Sequence, residues 1–375
     1  MGCKSCIPFF YIFVTETRLQ KVEGKEKKEE TLSAQGINPR AVNDFIRKKK
    51  KLLTPEEYIQ GILSGDISLL SQAITLLESS LPAHQALAGE ILAGCLPHAG
   101  GSIRLGITGV PGVGKSSFIE ALGVYLTENG KKLAILAIDP SSQKSGGSIL
   151  GDKTRMERLA ASPNAFIRPS PSAGSLGGVA SRTRETILLC EAAGYEVVFV
   201  ETVGVGQSEV AVHSMVDFFL LLMLAGAGDE IQGMKRGIME MADMILITKA
   251  DGENREAAAK AVKEYESALH LFPIPASGWL PRVRTCSVVE NKGIKETWDN
   301  LLEYIAFTRG NGYFDERRKQ QARYWFFEVL NEGLKQHFYG DEKIRKKIEE
   351  TEKVVLERKA DPYKAARDIL LNYFC

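Results

Sequence analysis

The run Gly109-Val110-Pro111-Gly112-Val113-Gly114-Lys115-Ser116-Ser117 satisfies G-x-x-x-x-G-K-[ST] at every specified position. The chemistry this spacing serves is the holding of a phosphate chain. Glycines lack a Cβ, so the backbone can wrap phosphate with its N–H groups turned inward, and a following helix adds partial positive charge from its N-terminus. Lys115 is then placed for the β- and γ-phosphates and the Ser116 hydroxyl for Mg²⁺. A structural Gly-rich turn would need neither the Lys-Ser pair nor this spacing.

Three further segments place acidic groups where apolar runs end. Asp139 follows Leu133 to Ile138, Glu201 follows Val197 to Val200, and Thr248-Lys249-Ala250-Asp251 follows Met244 to Ile247. Asp139 and Glu201 are candidates to hold metal or water, and Gly204 occupies the place where a backbone N–H could sense a γ-phosphate. The Thr-Lys-x-Asp segment resembles the guanine-reading Asn-Lys-x-Asp signature, in which the Asp accepts from guanine and the Lys stem packs on the nucleotide. Asp251 thereby favours GTP over ATP, because adenine would leave its charge unpaired. Thr248 stands where the signature has Asn, which removes one hydrogen bond worth ~1 kcal/mol.

The elements that must position these groups can be read from periodicity. Ile103 to Thr108 reads as a buried strand and Ser117 to Leu122 opens a helix, so the glycine-rich run sits in a strand-loop-helix context. Beyond it, the runs at 133–138, 197–200, 218–224 and 244–247 alternate with helical segments such as Gly178 to Ala193. Near-continuous apolar strands in such alternation predict a parallel sheet covered on both faces, with ligands at the strands' carboxyl ends. Upstream, Thr54-Pro55-Glu56-Glu57 predicts a capped helix start and about three lead-in helices. From Gly310 onward the pattern is helical and carries apolar stripes that need a surface to cover them. The expected division is a tail at 1–53, a helical segment at 54–98, a nucleotide domain at 99–308 and a helical region at 309–375.

Composition narrows the partners. Of 375 residues, 48 are basic and 47 acidic, so no global field draws in nucleic acid or a membrane. The charged runs at 21–30 and 47–51 lack interleaved aromatics and read as solvated tail. Cys3 and Cys6 form a lone CxxC before a short apolar run; Cys6 stands where a myristoylation motif wants Ser or Thr. Six scattered cysteines suit a reducing compartment, and a cytoplasmic protein is expected.

Three longer segments are more specific: Gly146-Gly147-Ser148-Ile149-Leu150-Gly151-Asp152-Lys153-Thr154-Arg155-Met156, Glu201 to Glu209 as ETVGVGQSE, and Gly226 to Glu240 as GAGDEIQGMKRGIME. With the glycine-rich run they resemble the MeaB/MMAA family of GTPases, chaperones of adenosylcobalamin-dependent methylmalonyl-CoA mutase once described as arginine/ornithine transport kinases. The resemblance runs from about Thr54 to the C-terminus. It implies a P-loop NTPase α/β fold of the SIMIBI type, with a mostly parallel central sheet, an N-terminal helical lead-in and a C-terminal helical dimerisation arm. It implies GTP or GDP and Mg²⁺ as ligands, the mutase as partner, and a homodimer.

Residue by residue, the resemblance makes Lys115, Asp139, Asp152 and Glu201 catalytic, and Ser116, Asp139, Asp152 and Glu201 the metal set. The nucleotide contacts are the loop from Gly109 to Ser117, Gly204, Lys249 and Asp251, with Ser287, Val288 and Val289 as a second base-contacting loop. Asp229 and Lys235 fall on a switch loop that communicates with the mutase. Arg168 to Gly178 reads equally as a mobile loop leading into a helix or as a segment with a substrate-gating or partner-facing role, and Arg182 and Arg184 either reach phosphate or face solvent. Two other readings compete. A metal-insertion GTPase related to nickel and cobalt chaperones would call for Cys/His clusters, whereas the five His are dispersed; a transport-system kinase would call for an acceptor site.

Overall fold

The computed structural model describes residues 52–138, 156–170, 176–202, 208–226 and 236–374. Its centre is a sheet of seven parallel strands in the order β3-β2-β4-β1-β5-β6-β7. The strands are β1 Ile103–Gly109, β2 Leu133–Ile138, β3 Ala165–Ser170, β4 Val197–Thr202, β5 Phe218–Leu224, β6 Met244–Thr248 and β7 Arg282–Thr285. The strand feeding the glycine-rich loop lies between β4 and β5, with Ile107 in register with Glu201 on one side and Leu220 on the other.

Both faces of the sheet are covered, which is why its central strands read as unbroken apolar runs. On one face Leu105, Ile107, Phe199, Leu220 and Leu246 pack with Phe118, Ile119 and Leu122 of the loop helix Lys115–Glu128, and with Trp298, Leu301 and Tyr304 of helix Ile294–Gly310. On the other, Val198, Val200 and Leu221 share a core with Tyr58, Ile62, Leu70, Ile74 and Ile91 of the lead-in helices Pro55–Leu63, Ile67–Glu78 and Pro82–Cys95. The first of these helices starts as predicted. The Thr54 hydroxyl accepts from the Glu57 N–H at 3.3 Å while the Glu57 carboxylate accepts from the Thr54 N–H at 2.8 Å.

Both edge strands escape the sequence reading. Arg168 to Ser170, expected as part of a loop, are the end of β3, which pairs only with β2 and therefore tolerates Pro169. β7 is four residues long and reads Arg-Val-Arg-Thr, too short to show a period. The sheet is the parallel one expected, with every pairing among its described strands parallel.

Past helix Ile294–Gly310 the chain continues as helices Tyr313–Gly340, Glu342–Leu356 and Pro362–Phe374. The root of the first is buried through Arg317, Gln321 and Trp325, one helical face at steps of four. The Gln321 amide donates to Val216 O at 2.8 Å and the Trp325 indole to Ser214 O at 3.2 Å. Beyond Trp325 the apolar side chains are largely uncovered: Phe326 is 66 % exposed, Leu356 75 % and Tyr363 77 %.

Cys95, Cys190 and Cys286 are buried free thiols. Burial pushes Cys95 up to about 11 and Cys286 up to about 12, so both stay protonated and unreactive. Among the described residues no helix is long and apolar enough to cross a membrane.

Candidate nucleotide site

The loop after β1 takes its shape from its glycines. A Cβ at Gly109 would collide with the carbonyl of Leu222 on β5, and Gly112 and Gly114 have φ of +76° and +94°, where a side chain is strained. Gly114 is the N-cap of the loop helix and provides no side-chain cap. The first N–H groups of that helix are thus presented to whatever the loop encloses, an arrangement suited to an anion. Val113 turns inward and is fully buried, which anchors the loop, while Ser116 is half-buried at the start of the helix.

Lys115 reaches back across the loop and donates to Gly109 O at 2.7 Å and Val110 O at 3.4 Å. Its ammonium group is held below the ordinary lysine range, mainly by burial, against the opposing pull of Glu201 and Glu209. Glu201 is buried at the end of β4. The next residue, Thr202, donates its hydroxyl to Thr108 Oγ1 at 2.8 Å, which fixes the carboxyl ends of β4 and β1 to one another beside the loop. A half-buried ammonium in the field of two carboxylates, at the start of a helix, is a site whose charges can be redistributed by a polyphosphate.

The second half of the site follows β6. Thr248, which sequence comparison with the Asn signature marks as a loss, makes a connection of its own. Its hydroxyl is within hydrogen-bond reach of Val113 O at 2.7 Å and of Met223 O at 3.2 Å, tying this loop to the phosphate loop through a buried contact. Lys249 is exposed and takes the left-handed conformation, with φ of +54°, and the Asn254 amide donates to its carbonyl at 2.7 Å. The Ser287 hydroxyl donates to Asp251 Oδ2 at 2.6 Å and itself accepts from the Glu290 N–H at 3.0 Å. The backbone completes the junction, with the Ala250 N–H donating to Cys286 O at 3.0 Å. Val288 is half-buried and Val289 exposed on the same loop.

Lys115, Ser116, Glu201, Lys249, Asp251 and residues 287–289 therefore gather at the carboxyl ends of the strands. Asp139, Asp152, Gly204, Asp229 and Lys235 lie outside the described residues. Of the expected metal set, Ser116 and Glu201 are described; a hydroxyl and a buried carboxylate are oxygen donors of the kind a hard cation such as Mg²⁺ takes alongside phosphate and water. Arg182 is half-buried with Nη1 3.5 Å from Ser79 O, and Arg184 is half-buried within the field of Arg104 and Glu191, toward the strands' amino ends. Thr108, Thr202 and Glu209 were not singled out in the sequence; Thr108 and Thr202 take part through contacts between strands distant in the chain.

The family profile described as methylmalonyl Co-A mutase-associated GTPase MeaB matches residues 70–343. A probable GTPase of Mycobacterium tuberculosis is 48 % identical over 310 residues, covering 83 % of this chain and 92 % of the relative. The GTPase ArgK of Escherichia coli is 49 % identical over 289 residues, 77 % of this chain and 87 % of its own. The mitochondrial methylmalonic aciduria type A homolog of Mus musculus is 44 % identical over 324 residues, 84 % of this chain and 78 % of its own. A crystal structure titled as an LAO/AO transport system kinase superposes with a TM-score of 0.69 at 39 % identity, covering 87 % of this chain and all of that one. Taken with the strand order and the phosphate and base loops, these matches establish that the chain is a P-loop GTPase belonging to the MeaB family.

Proposed function

We propose that this protein is a GTP-hydrolysing chaperone that gates the loading of adenosylcobalamin into methylmalonyl-CoA mutase and protects the loaded enzyme. The observation that carries the reading is the joining of two loops by Thr248 and Val113, because it lets the base held at Asp251 and the phosphates held at Lys115 be felt by one rigid unit. The family description and the name of the mouse relative support the mutase as partner.

In this reading Lys115 exchanges the carbonyls of Gly109 and Val110 for β- and γ-phosphate oxygens, and the helix N–H groups stabilise the charge that develops on them. Ser287 presents the Asp251 carboxylate to the guanine edge. Ser116 and Glu201, with Asp139 and Asp152, would hold Mg²⁺, which would supply positive charge to neutralise the phosphates. Gly204 senses the γ-phosphate, and Asp229 and Lys235 pass its state to the mutase. The uncovered stripes beyond Trp325 fit a homodimer formed through residues 309–375, appended to a nucleotide domain at 99–308, a helical segment at 54–98 and a tail at 1–53. The protein acts in the cytoplasm.

The test is GTP turnover with and without the adenosylcobalamin-dependent mutase, for wild type, Lys115→Ala and Lys235→Ala. Lys115→Ala is expected to lose turnover under both conditions, whereas Lys235→Ala keeps its basal turnover and loses acceleration by the mutase. A wild-type protein indifferent to the mutase in both turnover and nucleotide affinity would remove the chaperone reading while leaving the GTPase intact.

A further inference from the structure

The loops that follow β6 and β7 are joined by more than the contact between Ser287 and Asp251. Asp251 precedes the short helical turn Gly252–Asn254, yet its side chain does not cap that turn. Its carboxylate is held by the Ser287 hydroxyl instead, at 2.6 Å. A serine hydroxyl has one proton to give, and where it points is set by what fills the acceptor side. Here the Glu290 N–H fills that side at 3.0 Å, which turns the proton toward Asp251.

Glu290 is itself anchored. Its carboxylate accepts from Arg255 Nη2 at 2.5 Å through Oε1 and from Lys292 Nζ at 2.8 Å through Oε2. Arg255 opens helix Arg255–Leu269, directly after the turn that Asp251 begins. The ion pair therefore closes a ring: from Asp251 along the chain to Arg255, across to Glu290, through its N–H to Ser287 and back to Asp251. Lys292, and after it Arg255, hold the Glu290 carboxyl down to about 2, so the ring stays closed around neutral pH.

Both loops need such holding. Among the described residues three that are not glycine take positive φ, and two of them, Lys249 at +54° and Asn291 at +52°, sit on these loops. Left-handed backbone that carries a side chain is costly and persists only where the surroundings determine it. Asn291 lies between the two members of the Glu290–Lys292 pair, in a hairpin closed by backbone bonds between Ser287 and Lys292 at 3.0 and 2.9 Å. Val289 at the tip is 87 % exposed, so the tip is steered by these polar ties rather than by burial.

We propose that Glu290 is a positioning residue for base selection: its carboxylate on Arg255 and Lys292, and its N–H on Ser287, fix the Asp251 carboxylate in the orientation that accepts from guanine. Glu290 acts here through Asp251, and so only if Asp251 accepts from guanine, as proposed above; the two roles can be tested apart. The probes are GDP and ADP, each displacing a fluorescent GDP analogue from the full chain. Glu290→Ala should lower the GDP-over-ADP ratio about three- to fivefold, the size expected when a partly exposed ion-pair network is lost, with ADP affinity changed less than about twofold. Arg255→Ala should give the same loss, and the double variant no more than either alone, because both act through one ring. In an Asp251→Asn background Glu290→Ala should leave the ratio where it was. The role of Glu290 is overturned if Asp251→Asn removes the preference while Glu290→Ala keeps the wild-type ratio, if Glu290→Ala weakens GDP and ADP alike, or if it lowers the ratio as much in the Asp251→Asn background as in wild type. Should Glu290→Ala fail to fold, Arg255→Ala, at an exposed position, decides by the same readings. An Asp251→Asn protein that keeps its full preference would overturn the guanine assignment, and the role of Glu290 with it.

Discussion

The two ends of the sheet bury charge in opposite ways. At the amino ends Arg104 makes a two-pronged pair with Glu191 at 2.8 and 2.9 Å, and Glu191 also accepts from the Ser102 hydroxyl and the Gly100 N–H. Beside it Asp217 takes two bonds from Arg318 and one from the Arg104 N–H, which fastens the root of the long helix to β1. At the carboxyl ends Lys115 rests on two backbone carbonyls, with Glu201 and Glu209 near enough to pull on it. The first arrangement saturates its charges and holds parts in place. The second leaves a cation on weak neutral acceptors that a phosphate outcompetes, so burial of charge there signals function rather than fastening.

If that contrast is right, the two ends fail differently when a charge is removed. The largest effect is expected for Glu191→Ala, which strands a buried guanidinium: about 3–5 kcal/mol lost from the unfolding free energy in urea, with nucleotide affinity of the folded fraction unchanged. Lys115→Ala should do the reverse. Its GTP turnover should drop by about 10² to 10³, as when one preorganised donor to developing charge is removed, while the urea midpoint hardly moves. A Lys115→Ala protein destabilised as much as Glu191→Ala would erase the distinction between the two ends.

Smaller changes divide the carboxyl end itself. Asp251→Asn should cut a GTP-over-ATP preference on the order of a hundredfold or more to near unity, read by competition titration, because the half-buried carboxylate no longer demands a matching pair of donors. Thr248→Val removes only the hydroxyl that joins the two loops and leaves the Val113 carbonyl unmatched. The expected cost is about 1–2 kcal/mol of GTP and GDP affinity alike, with base preference retained. A shift in base preference in Thr248→Val would mean that this side chain reads the base instead of bracing the loop.

Much of this was readable along the chain because the controlling forces are local. The glycine conformations after β1, the Thr54 capping box and the apolar runs of β1, β4, β5 and β6 depend on residues within a few positions of one another, so type and spacing determined them. The base loop could be located by its Lys and Asp, and Ser287 by resemblance. What Thr248 does instead of Asn could not be read, since its partner Val113 is 135 positions away.

Tertiary structure alone decided the remainder. β3 and β7 are strands because a neighbouring strand offers them a ladder, which outweighs Pro169 in one and brevity in the other. Arg168, read along the chain only as the start of a loop, pairs with Glu78 of the lead-in helices. Arg104 and Glu191, 87 positions apart, and Asp217 and Arg318, 101 apart, look like ordinary surface charges in the sequence. They become a buried clasp only when parallel strands bring their amino ends together, because the pairing energy depends on distance and dielectric, which the fold sets and local sequence does not.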